Sequence, residues 1–341
     1  MKILEVGDVV VKPGEAKRGN IEINCERVDK TSSKLPVIVI NGEKEGPKLF
    51  MGAAIHGTDT VGVEVVQKIA RGVNPVGLSG ALIAIPIVNP HAFQYCQYFT
   101  PLDDYTGGLK RQSFWTKNPK GRQDARIQYA ILTEALEKSS HAIAFYSNLQ
   151  PCIPFVELPA QHAKDEETLK TGEGMAEAFG ITVIESEPSA PPPPARGISA
   201  SSMTHGRAAI DVHLPDPRIG DGFECGTRGI RNVMRHLGMI GGEMEKQTGV
   251  KIIRERVCSG GMLSTDHGGF VHWEVEPSEK KVLEGTVVCR ITDIFGDETE
   301  VHRMPEDGYI FAWILALHGA YQLVNAGDNL VYYSVPVKQR E

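Results

Sequence analysis

The sequence has no block of clustered lysine and arginine, and its formal net charge is −7 over 341 residues. Phosphate backbones are held by such clusters, so no nucleic-acid partner is expected. No apolar run approaches the roughly 20 residues that span a bilayer, so no membrane partner is expected either. The N-terminus lacks a charged stretch followed by an apolar one, the mark of a secretory signal, which predicts a cytoplasmic chain. Six cysteines (Cys25, Cys96, Cys152, Cys225, Cys258, Cys289) are scattered without a C-x-x-C pair. In a reducing compartment that pattern predicts free thiols, not a disulfide framework. No internal repeat of fixed period is present. What remains is ordinary for a globular protein: 41% hydrophobic and 23% charged residues, on a chain long enough for one large domain and a smaller one. A small-molecule partner is the expectation, and a homo-oligomer is compatible with the sequence.

Residues 1–45 read as short strands and turns. Leu49 to Ile55 is a continuous apolar run, as expected of a strand buried on both faces, and Val61 to Ala70 has helical spacing. Ala81 to Val88 reads as a second buried strand and His141 to Tyr146 as another. Helical character returns at 122–138 and at Leu169 to Phe179, followed by the strand Ile181 to Ile184. Strands and helices alternate throughout, which predicts an α/β fold with a mixed sheet. Residues 186–202, with Pro191 to Pro194, read as a stiff loop. Ala208 to Leu214 reads as a strand and Thr227 to Leu237 as a helix closed by Gly238. Beyond Lys251 only short β segments follow. The expected division is an α/β domain over 1–250 and a smaller all-β domain over 251–341.

The chemistry-bearing residues begin at His56-Gly57-Thr58-Asp59, where a buried strand ends and a helix starts. The carboxyl edge of a parallel sheet is where α/β proteins place their sites. Imidazole nitrogen and carboxylate oxygen are both zinc ligands. Taken alone, the plainer reading of H-x-x-D is a polar helix cap.

The flanking motifs carry more. Gly46-Pro47-Lys48-Leu49 leads into Ile55-His56-Gly57-Thr58-Asp59 and Gly62-Val63-Glu64. Ile85-Pro86-Ile87-Val88-Asn89-Pro90-His91-Ala92-Phe93, Thr100-Pro101-Leu102-Asp103 and Pro154-Phe155-Val156 follow, then the helix Gly226 to Gly238 with Arg228-Gly229 and Asn232-Val233-Met234-Arg235. In this order the motifs resemble the succinylglutamate desuccinylase/aspartoacylase family, whose fold is of the zinc carboxypeptidase type. The resemblance implies a mixed-sheet α/β domain with a smaller β-domain. It also implies a deacylase acting on a small carboxylated N-acyl amino acid, and a Zn2+ held by His, Glu and a second His. A Glu would activate the water, an Arg would stabilise the oxyanion, and an Asn-Arg pair would hold the substrate carboxylate.

This chain departs from that pattern at the chemical positions. His56 stands at the first ligand position, and Asp59 replaces the Glu with a shorter carboxylate. The strand that ends in the third ligand reads Ala144-Phe145-Tyr146-Ser147, which puts Tyr146 where the family has His. A phenol with an ordinary pKa of about 10 is a poor zinc ligand. His213 takes the place of the water-activating Glu; imidazole is a competent general base near neutral pH. Lys110-Arg111 stands for the Asn-Arg pair and retains Arg111 as a carboxylate clamp. No Arg lies between Arg71 and Arg111, so the oxyanion Arg is missing, with Gln97 and Tyr98 nearby. Two readings stay open. In one, His56, Asp59 and His213 bind zinc, Arg111 and Lys110 hold a carboxylate, and Tyr146 donates a proton. In the other, the site is metal-free and either runs acid–base chemistry of a lyase or isomerase through His213 and Tyr146, or only binds a ligand. Asp266, His267 and His272 could suggest a second cluster, but turn histidines are the plainer reading; the same holds for His205 beside the proline-rich loop.

Overall fold

The computed structural model describes residues 2–26, 32–98, 118–148, 150–186, 193–218, 220–314 and 322–337. Lys110 and Arg111 therefore lie outside the described residues. The chain opens with the hairpin β1 (Leu4–Val6) and β2 (Val9–Val11), then β3 (Glu15–Glu26), β4 (Ser32–Asn41) and β5 (Lys44–Gly52). Helix α1 (Thr60–Gly72), β6 (Ser79–Ile85), α2 (Pro90–Gln94), α3 (Gln123–Ile131) and β7 (His141–Asn148) follow. Next come β8 (Phe155–Leu158), α4 (Glu166–Phe179), β9 (Thr182–Glu185), α5 (Gly197–Met203), β10 (Ala208–Pro215) and α6 (Gly222–His236). Seven strands close the chain: β11 (Val257–Ser264), β12 (Gly269–Trp273), β13 (Val287–Thr292), β14 (Glu298–Arg303), β15 (Tyr309–Trp313), β16 (Leu323–Val324) and β17 (Asn329–Pro336).

Eleven strands form one mixed sheet in the order β15-β17-β11-β9-β8-β10-β7-β5-β6-β4-β3, and β14-β13-β12-β16 form a separate four-stranded sheet. The four-stranded sheet is antiparallel throughout. The α/β class expected from the alternation of elements is the fold observed. Past residue 251, β11, β15 and β17 extend the main sheet, because β11 pairs in parallel with β9 through Val257 and Ile184.

At the centre, β5, β7 and β10 run parallel and adjacent. Every residue of β10 is buried, and Phe50 and Phe145 are among the largest side chains sealed in the core. Burial on both faces is why these strands read as near-continuous apolar runs. Helix α1 lies close over β7: a Cβ at Gly62 would collide with the Cβ of Phe145. Gly180 ends α4 with φ 84°, the left-handed residue that a helix C-terminus favours.

Two elements differ from the sequence reading. Residues 197–202, expected as part of a loop, fall within α5, whose Ser199, Ser201 and Ser202 are buried against β10 and β7. Weak helix formers prevail there through tertiary packing, not propensity. Helix α6 starts at Gly222, earlier than Thr227, because Asp221 caps it by accepting from the Glu224 N–H.

The first residue of β7 makes the acid limb of stability predictable. Burial, with a smaller push from His236, lowers the His141 pKa from 6.5 to about 4. Below pH 6.5 the unfolded chain binds a proton that the folded chain refuses, so stability falls as pH drops toward 4. The full effect is at most roughly 3 kcal/mol. Urea unfolding of His141→Gln between pH 7.5 and 4.5 should show a flatter decline than the parent; equal declines would refute this assignment.

Candidate active site

The carboxyl ends of β5, β7 and β10 bring together residues far apart in sequence. Just past β5 the backbone turns sharply at Ala54, φ 50°, held there by the Asn89 N–H donating to the Ala54 carbonyl at 2.9 Å. A non-glycine residue in this conformation costs of order 1–3 kcal/mol and persists only where its surroundings fix it. The other such residue among the described ones, Cys96 at φ 51°, comes two positions before Tyr98, which packs against His56. Strain thus flanks His56 on both sides.

His56 and Asp59 are both sealed from solvent, at 4% and 1% side-chain exposure, with His56 Nδ1 3.0 Å from Asp59 Oδ2. The same oxygen accepts from the His56 backbone N–H at 3.0 Å, and Oδ1 accepts from the Ser147 N–H at 3.0 Å. Asp59 is the residue before α1 and does not lie within its first turn. It folds back onto the turn and ties it to the end of β7. The Ser147 hydroxyl completes the link by accepting from the Val61 N–H at 3.2 Å.

Tyr146 pairs in register with His213 across β7 and β10. Their rings stack with centroids 4.8 Å apart, and Phe155 stacks on the far side of His213 at 4.3 Å. Tyr98 stacks on His56 at 3.8 Å, and His56 lies tilted to Tyr146 at 5.6 Å. The order Tyr98, His56, Tyr146, His213, Phe155 is a continuous row of rings, with Tyr146 between the two imidazoles. His213 Nε2 is 3.5 Å from Glu157 Oε2. Burial, and then the charges of Asp211, Asp59 and Glu157, hold the Tyr146 phenol well above its ordinary pKa. It is a neutral hydrogen-bond donor at any physiological pH.

Of the residues singled out in the sequence, His56, Asp59, Tyr146 and His213 share this site. Glu157, Asp211, Ser147 and Phe155 were missed as functional candidates. The P-F-V match marked Phe155 only as scaffold, and nothing in local sequence pairs Glu157 with Asp211. The remaining candidates sit elsewhere. His267 contacts Glu300 at 3.4 Å, while His272 contacts Thr292 at 2.9 Å. His205 is engaged locally by Thr204 and the Ser201 carbonyl. The Cys152, Cys225 and Cys289 thiols are pushed up to about 12, with burial as the main cause, so none is a nucleophile at neutral pH.

Comparison with known proteins agrees with the fold. Residues 45–143 match the succinylglutamate desuccinylase/aspartoacylase catalytic domain. An N-alpha-acetyl-L-2,4-diaminobutyric acid deacetylase from Halomonas elongata is 23% identical over 306 residues, 87% of this chain and 84% of that protein. A succinylglutamate desuccinylase from Silicibacter sp. superposes with a TM-score of 0.80 at 19% identity, covering 98% of this chain and 99% of that one. The product-bound ectoine utilization protein EutE from Ruegeria pomeroyi gives 0.81 at 18% identity, with the same coverage. The chain is thus similar in fold, and over residues 45–143 in sequence, to the succinylglutamate desuccinylases and aspartoacylases.

The zinc expected from that family can be tested against the residues present. Two donors about 2.0–2.1 Å from one tetrahedral zinc stand roughly 3.3 Å apart, so the 3.0 Å between His56 and Asp59 suits a ligand pair as well as a hydrogen bond. The third position decides. Tyr146 stands there, and a phenol is not among the usual zinc ligands Cys, His, Asp and Glu. His213 lies behind the Tyr146 ring. Among the described residues no three His, Cys, Asp or Glu side chains are grouped to hold a metal ion. The set His56, Asp59 and His213 is therefore not brought together as a zinc site, and these residues do not fit the family's metal.

Proposed function

We propose that this chain is an enzyme that takes a small carboxylated, N-acylated amino acid at the carboxyl ends of β5, β7 and β10 and acts on it by metal-free acid–base chemistry. The observation that carries this reading is Tyr146, a buried neutral phenol between two imidazoles, each beside a carboxylate. The substrate class is supported by the relatives, one of which deacetylates an N-acetylated amino acid.

Asp59 takes Nδ1 of His56, which assigns proton exchange with a ligand to Nε2. His213, beside Glu157, is the second base. Tyr146 donates the proton or hydrogen bond that a developing anion needs. Arg111 and Lys110 bind the substrate carboxylate, as the family pattern implies. Abstraction of a proton by one imidazole and delivery from the phenol is the chemistry of a lyase or isomerase. No helix among the described residues is long and apolar enough to cross a membrane.

The test combines metal analysis with turnover. Protein purified without added metal should hold less than ~0.1 equivalent of zinc, and its activity on a panel of N-acyl amino acids should survive chelators. Tyr146→Phe and His213→Ala should each lower kcat by about 100-fold or more. Stoichiometric metal with chelator-sensitive deacylation would overturn the reading and restore zinc-dependent hydrolysis. Binding without turnover on any member of the panel would instead make the chain a non-catalytic ligand-binding relative.

A further inference from the structure

Three neighbouring strands place a ring on the same rung of the main sheet. His213 of β10 is directly opposite Tyr146 of β7 on one side and Phe155 of β8 on the other. Neighbouring strands lie about 4.7–4.9 Å apart, a spacing at which rings on one rung and one face stack. Accordingly Tyr146 lies over one face of the imidazole at 4.8 Å and 16°, and Phe155 over the other at 4.3 Å and 8°. With both faces covered, His213 exchanges protons only at the edge of its ring. The next position on the rung, on β9, is Thr182, which carries no ring and whose hydroxyl accepts from the Ile253 N–H at 2.9 Å. Phe155 instead meets Phe311 of β15 edge-on at 4.8 Å, and Tyr332 of β17 stacks on Phe311 at 5.8 Å.

Phe311 is tied to the segment just before β8, since the Ile153 N–H donates to its carbonyl at 2.9 Å. Ile153, Phe155, Ile184 and Phe311 belong to a small apolar cluster apart from the main core, which contains Tyr146. His213 therefore sits where the two clusters meet. The second torsion of a histidine is broad and roughly two-fold where nothing restricts it. A ring stacked on each face removes that freedom before any ligand arrives, and a base already held in one plane needs no reorientation during the reaction. We propose, on the reading of His213 as a base, that Phe155 is a positioning residue that fixes the plane of the His213 imidazole, and that Phe311, from the C-terminal strands, acts through it.

Steady-state kinetics on the best substrate of the N-acyl amino acid panel provides the test. Phe155→Leu should lower kcat about tenfold and leave KM within about twofold, because the base is misplaced while the groups that hold the substrate are untouched. Val156→Ala is the control. Val156 is buried on the opposite face of β8, so its truncation should lower the urea midpoint without lowering kcat. Phe311→Leu should lower kcat about threefold, and the double variant should be no slower than Phe155→Leu, since the two rings act in series. A parent-like kcat in Phe155→Leu, or an equal loss in Val156→Ala, would overturn the proposal, and losses that multiply in the double variant would remove Phe311 from it. If Phe155→Leu does not fold, Phe311→Leu decides alone, and a parent-like kcat there would overturn the proposal. Activity that survives His213→Ala, or no turnover by the parent, would instead overturn the reading of His213 as a base, and the proposal with it.

Discussion

Tyr146→His is expected to give this protein about one equivalent of tightly held zinc, against less than ~0.1 in the parent. The argument is geometric. His56 and Asp59 already stand at a separation that two ligands of one ion tolerate. Two imidazoles on a tetrahedral zinc have ring centroids roughly 5 Å apart, and Tyr146 lies 5.6 Å from His56 by the same measure. An imidazole at 146 would thus bring a nitrogen to the position where the family has its third ligand. The parent residue is a poor substitute for it, because a phenol is not among the usual zinc ligands, and burial and the charges of Asp211, Asp59 and Glu157 raise the pKa of this one. Tyr146→Phe is the control: it keeps most of the ring volume, offers no donor, and should remain metal-free. Equilibrium dialysis followed by elemental analysis reads the outcome. A folded Tyr146→His protein with no more metal than Tyr146→Phe would show that the backbone around the turn, not residue 146, has lost the metal geometry.

What could be read in the sequence follows the range of the interactions. The central strands were legible because burial on both faces leaves an apolar run that local sequence displays, as in Leu49 to Ile55 and Ala208 to Leu214. Helix α5 was hidden, since its small polar residues next to a proline-rich stretch lack amphipathic spacing and gain order from β7 and β10. The place of β11 in the main sheet depends on pairing with β9, a contact across more than 70 residues that no window of sequence contains. At the site, His56, Asp59, Tyr146 and His213 stood out because each occupies or alters a family position. Their arrangement did not. That Tyr146 separates the imidazoles comes from strand register, and Glu157 acquires a role only because β8 returns antiparallel beside β10.

Asp59 holds more of the structure than a residue of the reaction needs to, which makes Asp59→Ala the severest single change predicted. Its carboxylate is 1% exposed and receives the His56 N–H, the Ser147 N–H and the His56 ring. Truncation would leave two backbone donors without their acceptor at the strained turn beside Ala54, each costing about 1–3 kcal/mol, and would remove the imidazole's partner as well. The sum is a loss of about 3–5 kcal/mol, a large share of the roughly 5–15 kcal/mol by which a folded domain is stable. Asp59→Asn retains one acceptor oxygen but turns an amide toward a donor, and should cost about half as much. Ser147→Ala loses only the hydroxyl that accepts from the Val61 N–H, for about 1 kcal/mol. Urea midpoints at pH 7 should therefore fall most in Asp59→Ala, less in Asp59→Asn and least in Ser147→Ala, an order that distinguishes this account from a purely catalytic Asp59. A catalytic carboxylate with no structural task would leave both Asp59 variants within about 0.5 kcal/mol of the parent. If the predicted order holds, the short Asp in place of the family's Glu has a physical meaning. The carboxylate braces the turn that carries His56, accepting backbone N–H donors with both oxygens.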